Sequence, residues 1–216
     1  MDEGLLDILK VVLVGESGVG KTSIITQYIT QKFHEDQQIT TGASYSNKLV
    51  LCDDTKTLKF EIWDTVGQEK YRSLTKMFYK DAKAAVMVYD VTRQESFNEL
   101  KNFWSVQIKE NSPEDIILVI AGNKSDLIGQ EVVDEEEARN FAKEKNAIFF
   151  STSATNCEVI NNLFEEIAKK YTGATKITIV EEGGDSQPPP PEETNDNIKI
   201  ESGNNNNKKK KKKGFC

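Results

Sequence analysis

A glycine-rich segment near the start of the chain limits the possible folds more than any other feature. Residues 15–22 read Gly-Glu-Ser-Gly-Val-Gly-Lys-Thr, after a buried-strand pattern at 8–14 and before a helical pattern at 21–30. In a strand–loop–helix setting, the glycines allow successive backbone N–H groups to point at an anion, and the helix adds its positive end. The spacing therefore predicts a phosphate-binding loop, with a plain glycine turn as the alternative interpretation.

The last two residues of this loop supply the chemistry that a bound triphosphate requires. Lys21 provides a mobile positive charge for the β- and γ-phosphates, and the hydroxyl of Thr22 can bind Mg²⁺. The loop alone does not reveal which nucleotide is bound.

Strand and helix patterns alternate along the first 171 residues. The predicted strands are 8–14, 44–51, 58–63, 84–91, 116–122 and 147–150, and the predicted helices are 21–30, 95–109, 134–145 and 159–171. This alternation predicts an α/β fold, with a mostly parallel six-stranded sheet and helices on both faces. Ligands of such sheets bind at the carboxyl ends of the strands.

The composition changes after this region. Residues 172–216 include runs of four prolines, of four asparagines and of six lysines, and carry a net charge of +1 (8 − 7), against −8 (20 − 28) for residues 1–171. Such a stretch cannot bury enough apolar surface to offset the entropy of ordering it. We therefore expect one acidic domain over 1–171 and a flexible, disordered C-terminal tail over 172–216.

The sequence also suggests a compartment. The apolar runs are far shorter than the roughly 20 residues of a membrane-spanning helix, and residues 1–7 lack the basic region of a secretory signal. Cys52, Cys157 and Cys216 form neither a disulfide framework nor a zinc spacing. We expect a cytoplasmic protein.

A second motif indicates which base the nucleotide carries. Asn123-Lys124-Ser125-Asp126 directly follows a predicted strand. A carboxylate such as that of Asp126 can accept two hydrogen bonds from N1 and the exocyclic amine of guanine, whereas adenine would leave the charge unpaired. By itself this tetrapeptide is more often a surface turn, but in a chain with a phosphate loop it predicts a guanine nucleotide.

A third motif follows the predicted strand that ends at residue 63. Asp64 is positioned to hold Mg²⁺, and Gln68 to orient an attacking water against the γ-phosphate. Gly67 leaves its backbone N–H free to approach the same phosphate. A strand-end cap is the alternative role for Asp64.

These motifs together resemble a Rab-type small GTPase of the Ras superfamily, over about residues 8–171. The resemblance is greatest to the early-endosomal subgroup and is carried by residues 33–35, 53–54, 59–65 and 67–69. It implies the P-loop small-GTPase fold and slow hydrolysis of GTP to GDP and phosphate. It further implies a switch that recruits effectors in vesicle traffic, on the cytosolic face of endosomal membranes.

The resemblance also implies a set of site residues. Thr40 would join Thr22 and Asp64 in binding Mg²⁺, and Gln68 would act in hydrolysis with Lys21 and Gly67. The residues implied to bind GTP or GDP are Ser17, Gly18, Val19, Gly20, Lys21, Thr22, Ser23, Phe33, Thr40, Gly67, Asn123, Lys124, Asp126, Ser153 and Ala154.

Tyr45, Trp63 and Phe78 occupy the positions of the aromatic triad that faces effectors in Rab proteins, although all three could be plain core aromatics. The chain departs from the family pattern at Thr41, Val66 and Thr155. Thr41 removes an apolar effector contact, the bulk of Val66 could slow hydrolysis, and Thr155 could weaken nucleotide packing slightly.

The implied partners are an exchange factor, an activating protein, Rab effectors, and a GDP-dissociation inhibitor or escort protein. Residues 30–45 contain no arginine, so fast hydrolysis should require one from the activating protein. The run Lys208–Lys213 before Cys216 allows either a nucleic-acid patch or an anionic membrane surface as partner. We expect the membrane, with a prenyl group on Cys216 and no nucleic acid.

Two other function classes remain open. A GTP-binding module with negligible hydrolysis would follow if Val66 blocked the reaction. An ATP-using P-loop phosphotransferase would follow if Asp126 did not select the base.

Overall fold

The computed structural model describes residues 7–33, 40, 44–65, 78–180 and 184–186 of the 216-residue chain. Predictions that concern Thr41, Val66, Gly67, Gln68 and Cys216 lie outside these residues. None of the described helices combines the length and the hydrophobicity that a membrane-spanning segment needs.

A single mixed sheet forms the centre of the molecule. Its described strands are β1 (Asp7–Val14), β2 (Ser44–Cys52), β3 (Lys56–Asp64), β4 (Ala84–Asp90), β5 (Ile117–Asn123), β6 (Ile148–Ser151), β7 (Ile177–Ile179) and β8 (Gly184–Ser186). The order across the sheet is β6-β5-β4-β1-β3-β2-β7, and β8 also pairs with β2. The pairs β1–β3, β1–β4, β4–β5 and β5–β6 are parallel, whereas β2 and β3 are antiparallel.

Helices cover both faces of this sheet. The described helices are α1 (Lys21–Thr30), α2 (Gln94–Glu99), α3 (Ser105–Asn111), α4 (Glu135–Glu144) and α5 (Cys157–Thr172), and a π-helical stretch, Leu100–Trp104, joins α2 to α3. The predicted α/β architecture is therefore confirmed. The sequence predicts one continuous helix over 95–109, but the structure has π-helical hydrogen bonding in the middle of this segment, at Leu100–Trp104.

Two hydrophobic clusters hold the layers together. On one face, α1 and α5 pack their apolar side chains, such as Ile24 and Phe164, against the sheet. On the other face, the helices between β4 and β6 do the same through residues such as Phe97 and Trp104. All seven residues of β4 are buried, as expected for a central strand covered on both sides. The loops at the carboxyl ends of the parallel strands are thus mounted on a rigid base.

The prediction of six strands is wrong, because the described sheet has eight. β7 and β8 both come from residues that the composition assigns to the tail, and both pair with the outer edge of β2. The average composition of a 45-residue segment cannot reveal strands of only three residues within it. The Ile-Thr-Ile sequence of β7 nevertheless has the β-branched side chains that favour an extended strand.

Candidate nucleotide site

The predicted phosphate loop connects β1 to α1, and its two key glycines have no room for a side chain. A Cβ atom on Gly15 would lie 2.2 Å from the carbonyl oxygen of Val88, and Gly15 has a φ of +145°. A Cβ atom on Gly20 would lie 2.3 Å from Nδ2 of Asn123, and Gly20 has a φ of +96°. Close backbone approach and left-handed conformation both require glycine here.

Lys21, the first residue of α1, is only 6% exposed. Its Nζ donates hydrogen bonds of 2.9 Å to the carbonyl oxygens of Gly15 and Glu16, so the loop surrounds the ammonium group. Burial lowers the pKa of Lys21 to about 8, against the opposing effect of the carboxylates of Asp64 and Glu16. The negative charge of a bound phosphate would favour the ammonium form and raise this pKa again.

Three residues that are far apart in the sequence meet beside this lysine. Oγ1 of Thr22 lies 2.7 Å from Oγ1 of Thr40 and donates a 2.5 Å hydrogen bond to Oδ2 of Asp64. Asp64 is 1% exposed, and burial raises the pKa of its carboxyl group. Its second oxygen, Oδ1, is buried without a hydrogen-bond partner within the described structure.

This cluster fits a magnesium ion. Two hydroxyls and a carboxylate are the hard oxygen ligands that Mg²⁺ prefers. A buried oxygen without a partner is costly, and a cation between the three side chains would supply that partner. All three residues are those expected to bind the metal.

A cavity of 210 Å³ lies next to the phosphate loop, where β5 and β6 end. It is lined by Gly20, Ser23, Phe33, Asn123, Lys124, Asp126, Leu127, Ser153, Ala154 and Thr155. Eight of these ten residues are expected nucleotide contacts, and Leu127 and Thr155 are the other two. The structure thus brings the predicted base-binding residues together in one pocket.

Asp126, the residue expected to recognise guanine, is held in place by its neighbours. Oγ of Ser153 donates a 2.5 Å hydrogen bond to Oδ1 of Asp126 and accepts one of 3.1 Å from the backbone N–H of Thr155. The two hydroxyls of Ser153 and Thr155 lie 2.7 Å apart. Thr155, a departure from the family pattern, therefore supports Ser153, and Ser153 in turn orients the carboxylate.

Asn123 links the base pocket to the phosphate loop. Its Nδ2 donates a 2.9 Å hydrogen bond to the carbonyl oxygen of Val19, and its Oδ1 accepts one of 3.3 Å from Thr152. This side chain therefore joins the base pocket and the phosphate loop directly.

The neighbouring Lys124 has a left-handed φ of 67° and forms a 2.6 Å salt bridge with Asp90, at the end of β4. Burial alone would raise the pKa of Asp90, but hydrogen bonds from Lys124 and Thr92 outweigh it and lower that pKa. Asp90 is not among the predicted site residues, because its partner follows it by 34 positions and no motif joins them.

Arg93 is a second residue beyond the predicted set. Its guanidinium group forms a salt bridge with the carboxylate of Glu16, in the phosphate loop, and lies beside Gly18. An acidic side chain next to a triphosphate site would repel the ligand, so this ion pair offsets an unfavourable charge.

The aromatic residues expected to face effectors also meet. The rings of Tyr45 and Trp63 are 5.3 Å apart, and those of Trp63 and Phe78 are 5.6 Å apart. Trp63 and Phe78 are half-buried, whereas Tyr45 is buried. Within this group of three, only the rings of Trp63 and Phe78 therefore offer accessible surface to a partner.

Comparison with known proteins supplies the family. The sequence model of the Ras family matches residues 10–173, about three quarters of the chain. The chain belongs to the Ras family. Ras-family proteins are small regulatory GTPases, which bind GTP or GDP, typically with Mg²⁺, and generally interact with exchange factors, activating proteins and effectors.

The match runs from within β1 to the end of α5, and includes the phosphate loop and the base pocket. Within this Ras-family domain the catalytic roles of Gln68 and Gly67 stay predictions, because both residues lie outside the described ranges. The same is true of the effects expected from Val66 and Thr41, and of lipid attachment at Cys216.

Proposed function

We propose that this Ras-family GTPase is a Rab-type switch that recruits effectors in vesicle traffic, on the cytosolic face of endosomal membranes. The observation that supports the proposal is the contact of Tyr45 with Trp63 and of Trp63 with Phe78. This aromatic cluster adjoins Asp64, the last residue of β3, so a change at the metal-binding oxygens is one residue away from the cluster.

The proposed switch uses both parts of the site, the base pocket and the phosphate loop with its metal-binding oxygens. Asp126, oriented by Ser153, selects guanine, while Lys21 and the loop amides hold the phosphates. Thr22, Thr40 and Asp64 would hold Mg²⁺, which supplies positive charge to the β- and γ-phosphates. Thr40 precedes β2, so its contact with Thr22 couples the nucleotide to the segment that leads to the effector surface.

In the proposed hydrolysis, Gln68 orients a water against the γ-phosphate and Lys21 stabilises the charge that develops. The intrinsic reaction is slow, because residues 30–45 contain no arginine to stabilise that charge further. An activating protein that supplies an arginine accelerates the reaction by roughly 10³–10⁵. Exchange factors release GDP and reset the switch.

The lysine run and Cys216 give the proposed route to the membrane. Each lysine near an anionic surface contributes about 1 kcal/mol, so the six residues Lys208–Lys213 contribute at most about 6 kcal/mol. One prenyl chain together with a polybasic segment makes a stable two-signal anchor. A GDP-dissociation inhibitor or escort protein would carry the prenylated protein through the cytoplasm.

The Rab assignment is tested with protein purified from its native cell. Its intact mass should include one isoprenoid group, lost in Cys216→Ser, and the GDP form should be extracted from anionic vesicles by a Rab GDP-dissociation inhibitor. An unmodified Cys216, or prenylated protein that the inhibitor leaves on the vesicles, would contradict the Rab assignment without affecting the GTPase assignment.

A further inference from the structure

The last helix of the domain, α5, runs away from the nucleotide pocket. α5 starts at the nucleotide pocket, since Asn156 at its N-cap directly follows the pocket residue Thr155. Its 16 residues span about 24 Å. At the far end, the hydroxyl of Tyr171 donates a 3.2 Å hydrogen bond to Asp7, the first residue of β1. The helix therefore ends where β1 begins, at the end of the sheet opposite the nucleotide pocket.

The chain does not leave the domain there. Gly173, with a φ of +74°, ends α5 and donates its backbone N–H to the carbonyl oxygen of Lys169. One carboxylate oxygen, Oδ1 of Asp53, then accepts three hydrogen bonds of 2.9–3.0 Å, from the N–H and hydroxyl of Thr175 and the N–H of Lys176. These bonds lower the pKa of Asp53. We call this arrangement the Asp53 clasp.

Beyond the clasp, the tail runs back along the outer edge of β2. Ile177 pairs with Cys52 at the start of β7, and the backbone N–H of Val180 donates a 3.2 Å hydrogen bond to Leu49. β8 continues in the same direction until Ser186 pairs with Tyr45. The seven steps from Cys52 to Tyr45 correspond to about 24 Å of strand.

The return path ends beside the metal-binding oxygens. Ser44, the neighbour of Tyr45, pairs with Asp64 across β2 and β3. We call this end of the sheet, where Asp64 ends β3 and Thr40 lies against Thr22, the switch end. Four prolines, at 188–191, follow two residues after β8. Proline has no N–H to donate, so the pairing cannot continue as a regular ladder.

We propose that the outer edge of β2 is a docking surface for the chain's own residues 175–180 and 184–186, and that docking makes the polybasic tail leave the domain at the switch end. The part of the chain that the composition predicts to be a flexible tether then begins at residue 187 and has 30 residues (216 − 186), rather than 44 (216 − 172). A flexible chain of that length reaches about 30 Å on average. A surface that binds the lysine run therefore keeps the switch end close to that surface. A partner that adds a strand to β2 would compete with the docked segment for the same edge.

Cysteine cross-linking in the full chain tests the position of the tail. Asn47 and Gly184 are paired residues of antiparallel strands, which lie about 5 Å apart at their Cα atoms, within reach of a disulfide. Asn47→Cys with Gly184→Cys should form an intrachain disulfide in glutathione buffer, identified by peptide mapping. The control pair, Asn47→Cys with Ser202→Cys beyond the prolines, should form it at least tenfold less. Equal yields, or an interchain disulfide with Gly184→Cys, would overturn the proposal.

A matched pair of proline variants tests the hydrogen bonding. Val180→Pro removes the N–H that Leu49 accepts, whereas the N–H of Ile179 points away from β2 because hydrogen-bonded and non-hydrogen-bonded pairs alternate. Ile179 and Val180 are 43% and 49% exposed and lie outside the buried core, so neither change removes a core side chain. Amide exchange at Leu51 and Asp53 should rise at least tenfold in Val180→Pro and stay near wild type in Ile179→Pro. Wild-type exchange as fast as that of Val180→Pro would overturn the proposal.

A second pair of variants tests the clasp. Asp53→Gly removes the carboxylate and keeps a residue suited to its left-handed φ of 50°. Asp54→Gly makes the same change at φ 57° and removes only an exposed salt bridge to Lys176. The Asn47–Gly184 disulfide should form several-fold more slowly with Asp53→Gly and almost normally with Asp54→Gly. Equal rates in the two variants would contradict the role of the clasp.

Discussion

The hydroxyl of Thr22 donates a 2.5 Å hydrogen bond to the carboxylate of Asp64, although 42 positions separate the two residues in the chain. Thr22 starts from the first turn of α1 and Asp64 from the last position of β3, and Thr40 completes the group. This convergence of oxygens next to the buried Lys21 is the structural basis of the metal-dependent switch that we propose.

Replacement of Thr22 by asparagine removes the hydroxyl that meets both Thr40 and Asp64. We expect Mg²⁺-dependent affinity for GTP to fall at least tenfold, with a smaller loss for GDP, because the metal neutralises the γ-phosphate. Fluorescent-nucleotide titrations with and without Mg²⁺ measure this. Thr30→Asn, at the exposed end of the same helix, is the control and should bind normally. Equal metal dependence in Thr22→Asn and wild type would exclude Thr22 as a ligand.

Asp126→Ala should abolish discrimination between bases. Paired with N1 and the exocyclic amine of guanine, this carboxylate would have no such partners in adenine, and a site built to hydrogen-bond its ligand can reject an analogue by factors of roughly 10⁴ or more. We expect the preference for GTP over ATP to fall at least a hundredfold in competition assays. Asp115→Ala, which removes an exposed carboxylate before β5, should leave the preference intact. A retained preference in Asp126→Ala would support the ATP-using phosphotransferase instead.

Arg93→Gln should weaken nucleotide binding, because it leaves the Glu16 carboxylate unpaired beside the phosphates. Since both side chains are about one-third exposed, solvent screening limits the effect to roughly two- to fivefold. Glu16→Gln added to Arg93→Gln should restore the affinity, and Arg139→Gln on the surface of α4 should have no effect. Additive losses in the double variant would show that the ion pair has no part in binding.

The lowered pKa of Lys21 predicts a pH dependence of stability in the nucleotide-free protein. Its folded pKa is about 8 and its ordinary value is 10.5, so between these values the unfolded chain binds more protons. The free energy of unfolding should therefore rise with pH across that window, relative to Lys21→Met. Urea unfolding at pH 7, 8.5 and 10 measures it. A difference between wild type and Lys21→Met that stays constant with pH would contradict the burial of a charged lysine.

Hydrolysis is tested by single-turnover kinetics. If Gln68 orients the attacking water, Gln68→Leu should lower the rate at least tenfold without changing GTP affinity. A wild-type rate no faster than that of Gln68→Leu would favour the GTP-binding module, in which Val66 blocks the reaction.

Much of the fold could be predicted because its signals are local. The spacing of Gly15 and Gly20 reflects a backbone that approaches Val88 and Asn123 too closely for any side chain. The apolar run of β4 likewise reflects a strand buried on both faces. The motif that ends at Asp126 predicts the position of the pocket, because parallel strands bring their carboxyl ends to the same end of the sheet.

The features that escaped prediction depend on contacts between distant segments. Neither Glu16 nor Arg93 belongs to a motif that contains the other, so their ion pair is visible only in the fold. β7 and β8 have too few apolar residues to stand out, and they exist because the edge of β2 offers unpaired hydrogen-bonding groups.

Calorimetry on nucleotide-stripped full-length protein in Mg²⁺ tests most directly whether this chain is a guanine-nucleotide switch. Titration with GTP and with GDP should show one tight site each, and ATP should bind at least a thousandfold more weakly. Comparable binding of ATP and GTP, or equal GTP affinity with and without Mg²⁺, would contradict it.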